Sequence, residues 1–407
     1  MSRTVLKVTK GAVIIMGNSL NPGYVYILKS GLIQIESVFQ FQNKNLNFYS
    51  PGDTFGYVSA ITKNPHSSTL IAHTDCIIIR MNLENFFDYL KQNKEVFLKI
   101  LSYNSEKLQA FIEYIDPFKK ENKLGFEIPE RILEKIKQFN HLGQKRLACF
   151  GLLKYIQGNY SREKDPKSIE EAKKLLKQID SRYTLPDHIT YNETRSFAVK
   201  KGDIIFIELE PEDDFFYIIE QGSIKITKLL DGREIILGIL TKGEIFGEMA
   251  ILNKTVRNAT AIAFEDSVLI RYTSSTLLED SDSEILTKMF TVISRRLWFA
   301  YHRVFMLKVS DPNVKLYIQI QMLIADEISK TEHFVVKDKY IFRFSLNELL
   351  KMVDIEGIDS EKISEFLADK NLSFHNGQVV VKDKILLDER VEAIKKKHIR
   401  LIKQIVL

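Results

Sequence analysis

The chain has 407 residues, of which 45% are hydrophobic and 27% charged, and a formal net charge of +5. That length excludes one ordinary core and points to about two to four domains; the composition excludes disordered and fibrous classes, and the mild charge permits nucleic acid without arguing for it. Only Cys76 and Cys149 are present, with no C-x-x-C spacing, so neither a disulfide framework nor a metal site is expected. The start M-S-R-T-V-L-K lacks a signal peptide's apolar run. No stretch approaches the roughly 18 apolar residues of a membrane span, so a cytoplasmic protein is expected.

One offset of the sequence against itself is informative. Shifting by 191 residues carries Lys10-Gly11 onto Lys201-Gly202, Tyr26-Ile27 onto Tyr217-Ile218, Gly52 onto Gly243 and Phe55-Gly56 onto Phe246-Gly247 without an insertion. Turn glycines in fixed register between alternating β-branched residues predict two copies of one jelly-roll-like β-roll. The first copy occupies 1–116, closed by helical patterns in E-N-F-F-D-Y-L-K-Q and F-L-K-I-L. Residues 117–189 read as a helical connector with helices at Arg131 to Phe139, Gln144 to Gln157 and Ser168 to Ile179. The last two, joined by a turn at Gly158-Asn159-Tyr160, suggest one tetratricopeptide-like hairpin and a surface for a protein partner.

The second copy, 190–281, contains K-G-E-I-F-G-E-M-A-I-L-N-K-T-V-R-N-A-T from Lys242 to Thr260. Gly243 suits a turn, Phe246-Gly247 allows close backbone approach, and Glu248 to Leu252 predicts a short helix whose first N–H groups favour an anion. Arg257 brings a planar guanidinium that fits a phosphate, and Glu248 accepts from hydroxyls. That donor set with one carboxylate beside it suits a sugar phosphate.

On these residues the stretch resembles the cyclic-nucleotide-binding domain of bacterial cAMP receptor proteins of the Crp/Fnr type and of protein kinase A regulatory subunits. The pattern F-G-E-x-A followed by R-x-A-T matches without a gap from Phe246 to Thr260. The resemblance implies that Glu248 binds the ribose 2′-hydroxyl and Arg257 the cyclic phosphate. It further implies that backbone N–H groups around Met249, Ala250 and Ala259 complete a cradle beside Phe246 and Gly247. Asn258 stands where that family often has Ala, Ser or Thr, which leaves the choice between cAMP and cGMP open.

The offset converts Glu248 to Tyr57 and Arg257 to His66. A phenol lacks a carboxylate's two acceptors and a neutral imidazole lacks the guanidinium's charge. The first copy is expected to have lost the usual ligand and to be structural or protein-binding, with a different ligand on Tyr57 as the sharper alternative.

Residues 282–312 carry apolar positions at Leu286, Phe290, Ile293, Leu297, Ala300, Val304 and Leu307, alternately four and three apart, the seam of a coiled coil. A second stripe at Ile285, Met289, Val292 and Phe299 widens the apolar face. In the resembled family this helix dimerises and leans over the base, which makes Trp298 and Tyr301 candidates to touch it. Residues 313–407 read as a helix from Lys315 to Ile328, a strand or hairpin from Phe334 to Phe344, helices from Leu346 to Val353 and Ser360 to Lys370, and a β-wing at Asn376-Gly377. Ser345 to Val381 resembles that family's winged helix-turn-helix, with Ser360, Glu361 and Lys362 on the recognition helix and Lys382 and Lys384 on the wing placed to meet DNA. Against DNA, the turn D-I-E-G-I-D is long and Asp359 to Lys370 holds four acidic residues and two lysines, a net of −2. Lys395, Lys396, Lys397 and Arg400 make the last helix basic.

The expected architecture is α+β and multidomain: two tandem β-rolls, a helical connector, a long dimerisation helix and a C-terminal winged helix. The expected function is a non-enzymatic, dimeric transcription regulator answering to cAMP or cGMP. Its alternative is a nucleotide-sensing scaffold that acts through protein partners.

Overall fold

A computed structural model of the chain describes residues 3–17, 19–36, 43–115, 128–157, 166–185, 195–211, 214–230, 232–273, 283–307, 309–330 and 337–405. The chain forms two compact units, Met1–Phe111 with Ile293–Leu407, and Ile112–Val292.

In the first unit, strands β1 (Thr4–Val8), β2 (Val13–Ile15), β3 (Tyr24–Ser30), β4 (Ile33–Glu36), β5 (Phe48–Tyr49), β6 (Thr54–Phe55), β7 (Thr69–Ala72) and β8 (Cys76–Asn82) build a roll. They form two antiparallel sheets, β1-β8-β3-β6 and β2-β7-β4-β5, whose inner faces meet around Leu28, Ile33, Phe55 and Ile78. In the second unit, β9 (Ser196–Val199), β10 (Ile204–Phe206), β11 (Phe215–Gln221), β12 (Ser223–Leu230), β13 (Arg233–Thr241), β14 (Ile245–Phe246), β15 (Thr260–Ala263) and β16 (Ser267–Thr273) repeat the plan, with orders β14-β11-β16-β9 and β10-β15-β12-β13.

The repeat extends to residue pairs. Tyr26 lies opposite Phe55 and Arg80, as Tyr217 lies opposite Phe246 and Arg271. The glycine register has a steric cause: Gly31 and Gly222 have φ of +97° and +84°, and a β-carbon there would lie 2.3 and 2.6 Å from the carbonyl oxygens of Asp75 and Asp266. In the second roll the β12–β13 hairpin pairs Ser223 with Thr241 through to Leu230 with Arg233.

Helices Leu83–Gln92 and Lys94–Ile115 follow the first roll, as the sequence predicts. The connector helices are Ile128–His141, Lys145–Ile156 and Pro166–Asp180; the turn expected at Gly158-Asn159-Tyr160 lies outside the described residues. Their apolar faces share one core with the second roll: Ile132, Ile136, Phe150 and Ala172 pack with Ile204, Ile207 and Leu229. A connector reading from sequence therefore understates these helices, which are part of the second unit's core.

The Ser283–Leu307 helix is divided between the two units at Ile293. Its seam residues Leu286, Phe290, Ile293, Leu297, Ala300 and Val304 are all buried in the single chain, as are Met289 and Val292 of the second stripe. Beyond it come helix Pro312–Lys330, strand β17 (Tyr340–Phe342), helix Leu346–Met352 and the hairpin β18 (Leu372–His375) and β19 (Gln378–Val381), in sheet order β17-β19-β18. The start of the expected Phe334 to Phe344 strand lies outside the described residues. A capping box fixes the start of Leu346–Met352, where the Ser345 hydroxyl accepts from the Glu348 amide.

The recognition helix is shorter than expected. Ser360–Ile363 is a 3₁₀ turn and only Ser364–Leu367 is α-helical. Asn313 of the preceding long helix holds this segment at both ends, donating to the Lys362 carbonyl at 2.9 Å and accepting from the Phe366 amide at 3.0 Å. These tertiary bonds replace helical ones. The last helix, Lys384–Ile405, carries the basic run; the side chains of Lys395, Lys396, Lys397 and Arg400 lie outside the described ones.

Candidate functional site

The short β14 strand delivers Phe246 to the core of the second roll, and Gly247, at φ +84°, turns the chain into helix Glu248–Asn253. Glu248 and Arg257 are each only 1% exposed, although both are ionisable. Arg257 is held by β11 and the turn: Nη1 donates to the Gly247 carbonyl at 2.6 Å and Nη2 to the Phe215 carbonyl at 2.7 Å. The guanidinium also sits over the Phe206 ring, 4.4 Å from its centroid. Met249 and Ala250 occupy the helix's first turn, where amides have no intrahelical acceptor. Sequence-predicted residues Phe246, Gly247, Glu248, Met249, Ala250 and Arg257 are thus brought together, with Asn258 and Ala259 next along the strand-forming loop. Asn258 uses its carbonyl to accept from Lys228 Nζ at 3.2 Å, and its buried side-chain amide nitrogen has no partner among the described residues.

Behind this loop lies a charged layer that the motif does not contain. The Arg257 amide donates to the Glu210 carbonyl at 2.7 Å and the Leu209 amide to the Arg257 carbonyl at 2.8 Å, so segment 208–210 is zipped to the Arg257 loop. Glu208 pairs with Lys228 and, at 3.3 Å, with Lys135; Glu210 pairs with Lys154 at 2.7 Å. Burial pushes the Glu208 carboxyl up, but Lys228 and Lys135 outweigh it and hold it below its ordinary value. Two connector helices thereby reach the loop carrying Arg257. The acidic run E-L-E-P-E-D-D at 208–214 was the available signal, and nothing in it named Lys135 or Lys154 as partners.

In the first roll the equivalent residues have a different chemistry. Tyr57 is 2% exposed, and its hydroxyl donates to the Asn104 side-chain oxygen. Burial lowers the His66 imidazole pKa, so it is neutral at pH 7. Trp298 and Tyr301, anticipated over the ligand of the second roll, are found in the wall of the first roll's cavity, where the Trp298 indole N–H donates to the Pro65 carbonyl at 3.2 Å. Tyr301 also packs edge-on against Phe111 at 4.5 Å.

Comparison with known proteins agrees with the repeat. Residues 5–93 and 197–279 each match the model of the cyclic nucleotide-binding domain. The chain carries two cyclic nucleotide-binding domains. Across 240 residues, 59% of this chain, it is 24% identical to a cAMP-dependent protein kinase regulatory subunit of Eremothecium gossypii, of which it spans 36%. It is 40% identical over 70 residues to the human cGMP-dependent protein kinase 2, of which it spans 9%. Among solved structures, a transcriptional regulator of the CRP/FNR family from Thermus thermophilus aligns over 48% of this chain and 98% of its own, at 23% identity and a TM-score of 0.38. The regulatory domain of Toxoplasma gondii PKA with cAMP aligns over 71% of this chain and 85% of its own, at 14% identity and a TM-score of 0.21.

The residues expected to meet DNA divide into two groups. Ser360, Glu361 and Lys362 are exposed on the 3₁₀ turn, where the Glu361 amide donates to Asp359. Lys382 donates to the Lys370 carbonyl at 2.6 Å and Lys384 pairs with Asp388, so both wing lysines are engaged within the module. Arg390 is similarly engaged, with Glu365 at 3.0 Å and Asp369 at 3.5 Å. Among the described residues no helix is long and apolar enough to cross a membrane, and no group of three His, Cys, Asp or Glu could hold a metal.

Proposed function

We propose that the chain is a cyclic-nucleotide-responsive regulator in which the second domain takes cAMP or cGMP. The single observation that carries this reading is the burial of Arg257 and Glu248 beside the Gly247 turn. A guanidinium and a carboxylate placed together at such low exposure suit a ligand that brings one phosphate charge and one hydroxyl pair. In this reading Arg257 and the amides of Met249, Ala250 and Ala259 hold the cyclic phosphate, Glu248 accepts from the ribose 2′-hydroxyl, and Asn258 faces the choice of base. The kinase relatives, named for cAMP and cGMP dependence, favour the same ligand class.

The output is assigned to the C-terminal module, read as a transcription regulator's winged helix on DNA. A second reading, a scaffold acting on a protein partner, is favoured by the shortened acidic segment Ser360–Leu367 and by the internal engagement of Lys382, Lys384 and Arg390. A homodimer would have to use a surface other than the seam residues Leu286, Phe290, Ile293, Leu297, Ala300 and Val304, which are buried in the single chain.

Calorimetric titration of the full chain with cAMP and cGMP tests the ligand. Replacing Arg257 with Ala should weaken binding by about 1.5–3 kcal/mol; unaltered affinity would remove the site assignment. Selection of genomic DNA fragments at near-physiological salt, with and without the nucleotide, tests the output, because phosphate contacts alone mimic binding in dilute buffer. A nucleotide-dependent site supports the regulator. No enrichment, with nucleotide bound, moves the output to a protein partner.

A further inference from the structure

The first domain is not simply a site that has lost its residues. At the place equivalent to the nucleotide site it has a cavity of about 60 Å³, with walls from Tyr49, Tyr57, His66, Lys107, Trp298 and Tyr301. That volume is well below the roughly 300 Å³ at which pockets for drug-sized ligands begin, which favours a ligand of a few heavy atoms over a nucleotide.

Lys107 is the residue that gives this cavity its chemistry. It lies on helix Lys94–Ile115, is 3% exposed, and lines the cavity. Its ammonium sits 4.6 Å from the ring centroids of both Tyr49 and Tyr103 and 3.4 Å from the Tyr49 hydroxyl. Among the described residues no carboxylate forms an ion pair with it. Two ring faces offset part of the cost of burying a cation, but they accept no hydrogen bonds from its three N–H groups in the way an anion would. The two domains therefore carry a buried cation on different elements. Where the second domain supplies Arg257 from a loop, the first has neutral His66 there and supplies Lys107 from the helix that follows the roll.

We propose that this cavity is a binding site for a short monocarboxylate, with the carboxylate on Lys107 and the hydrocarbon end against Leu70, Leu297 and the Trp298 ring. The charge sign of the ligand is kept relative to the second domain while its size falls. Tyr57, whose hydroxyl donates to Asn104, lines it too, as do Ser67 and Ser68. Nothing in this reading depends on nucleotide in the second domain.

The groups facing Lys107 define its pH behaviour. Burial lowers its pKa to about 7, and the nearby Asp53 carboxylate opposes that shift. Tyr49, Tyr57, Tyr103 and Tyr301 are all pushed upward by burial and stay neutral, and His66 is pushed downward and stays neutral above pH 7. Glu106, which acts on Tyr103, is the other acidic group beside this cluster. Between about pH 7 and pH 9 only the lysine changes charge, and a carboxylate that needs the ammonium should bind more than tenfold more weakly at the upper end.

Trp298 is the only tryptophan in the chain and lines the cavity, so its fluorescence reports occupancy. The full chain would be titrated with sodium acetate, propionate and butyrate at constant ionic strength, with sodium chloride as the balancing salt. The expected result is a saturable fluorescence change, lost in Lys107→Met and weakening more than tenfold from about pH 7 to pH 9. A response matched by sodium chloride, a response that does not saturate, or saturable binding retained in Lys107→Met would each overturn the site. Should that variant not fold, Lys107→Gln is titrated in its place, and saturable binding retained in it overturns the proposal.

Discussion

Arg257 Nη1 donates to the carbonyl oxygen of Gly247 at 2.6 Å, and the same nitrogen would lie 2.8 Å from a β-carbon added at Gly247. The guanidinium is thus packed onto the one face of the turn that only glycine leaves open. Gly247→Ala combines a positive φ with this collision, and should destabilise the second unit by about 1–3 kcal/mol. Because the guanidinium must move, nucleotide affinity should fall more than tenfold. Calorimetry on folded Gly247→Ala protein checks this, and retained affinity would mean that the guanidinium position is irrelevant to the ligand.

The Lys154–Glu210 pair couples a connector helix to the Arg257 loop. With side-chain exposures of 9% and 4%, it behaves as a buried pair. Lys154→Met removes one partner of the buried Glu210 carboxylate, which also accepts from the Ile207 amide, at an expected loss of about 3 kcal/mol. Adding Glu210→Gln should restore more than half of it. A double-mutant cycle in urea measures the coupling.

Lys107 makes a prediction about stability and pH. Its folded pKa is lowered to about 7, so between about pH 7 and pH 10.5 the unfolded chain binds the additional proton. Stability from this group therefore rises with pH through that window and is lowest below pH 7, where the buried ammonium is fully charged. Lys107→Met should raise the melting temperature at pH 6 by a few degrees, by an amount that shrinks towards pH 10. Thermal scans at both pH values check the sign.

Ser345 caps helix Leu346–Met352 through a capping box. Ser345→Ala should cost about 1 kcal/mol. If the C-terminal module unfolds together with the first roll, as expected for members of one unit, a single transition shifts; separate transitions would show that the module melts alone.

Much of the fold was legible because steric demands repeat. The glycines at 31, 52 and 56 recur at 222, 243 and 247, all with positive φ, and those conformations fix the turns of both rolls. Glu248 and Arg257 were legible for the same reason, being tied by a fixed spacing to Gly247. What failed was long-range. Order along the chain predicts that the Ser283–Leu307 helix serves the roll just before it, yet Trp298 meets Pro65, 233 positions away. The recognition helix was too long because periodicity carries no sign of Asn313, whose side chain takes the Phe366 amide. Lys107 was invisible: a lysine on an amphipathic helix reads as solvated, and only the rolled sheets show it buried beneath Tyr49.

The order in which a ribosome releases this chain now matters. Residues 112–292 are complete before Trp298 and Tyr301 emerge, whereas the first unit needs both ends of the chain. Until residues 297–301 emerge, the cavity around Lys107 lacks the part of its lining that Leu297, Trp298 and Tyr301 supply. A stall or truncation before Ile293 would therefore release the whole second unit joined to a first unit that lacks residues 293–407, an incomplete species of the kind prone to self-association.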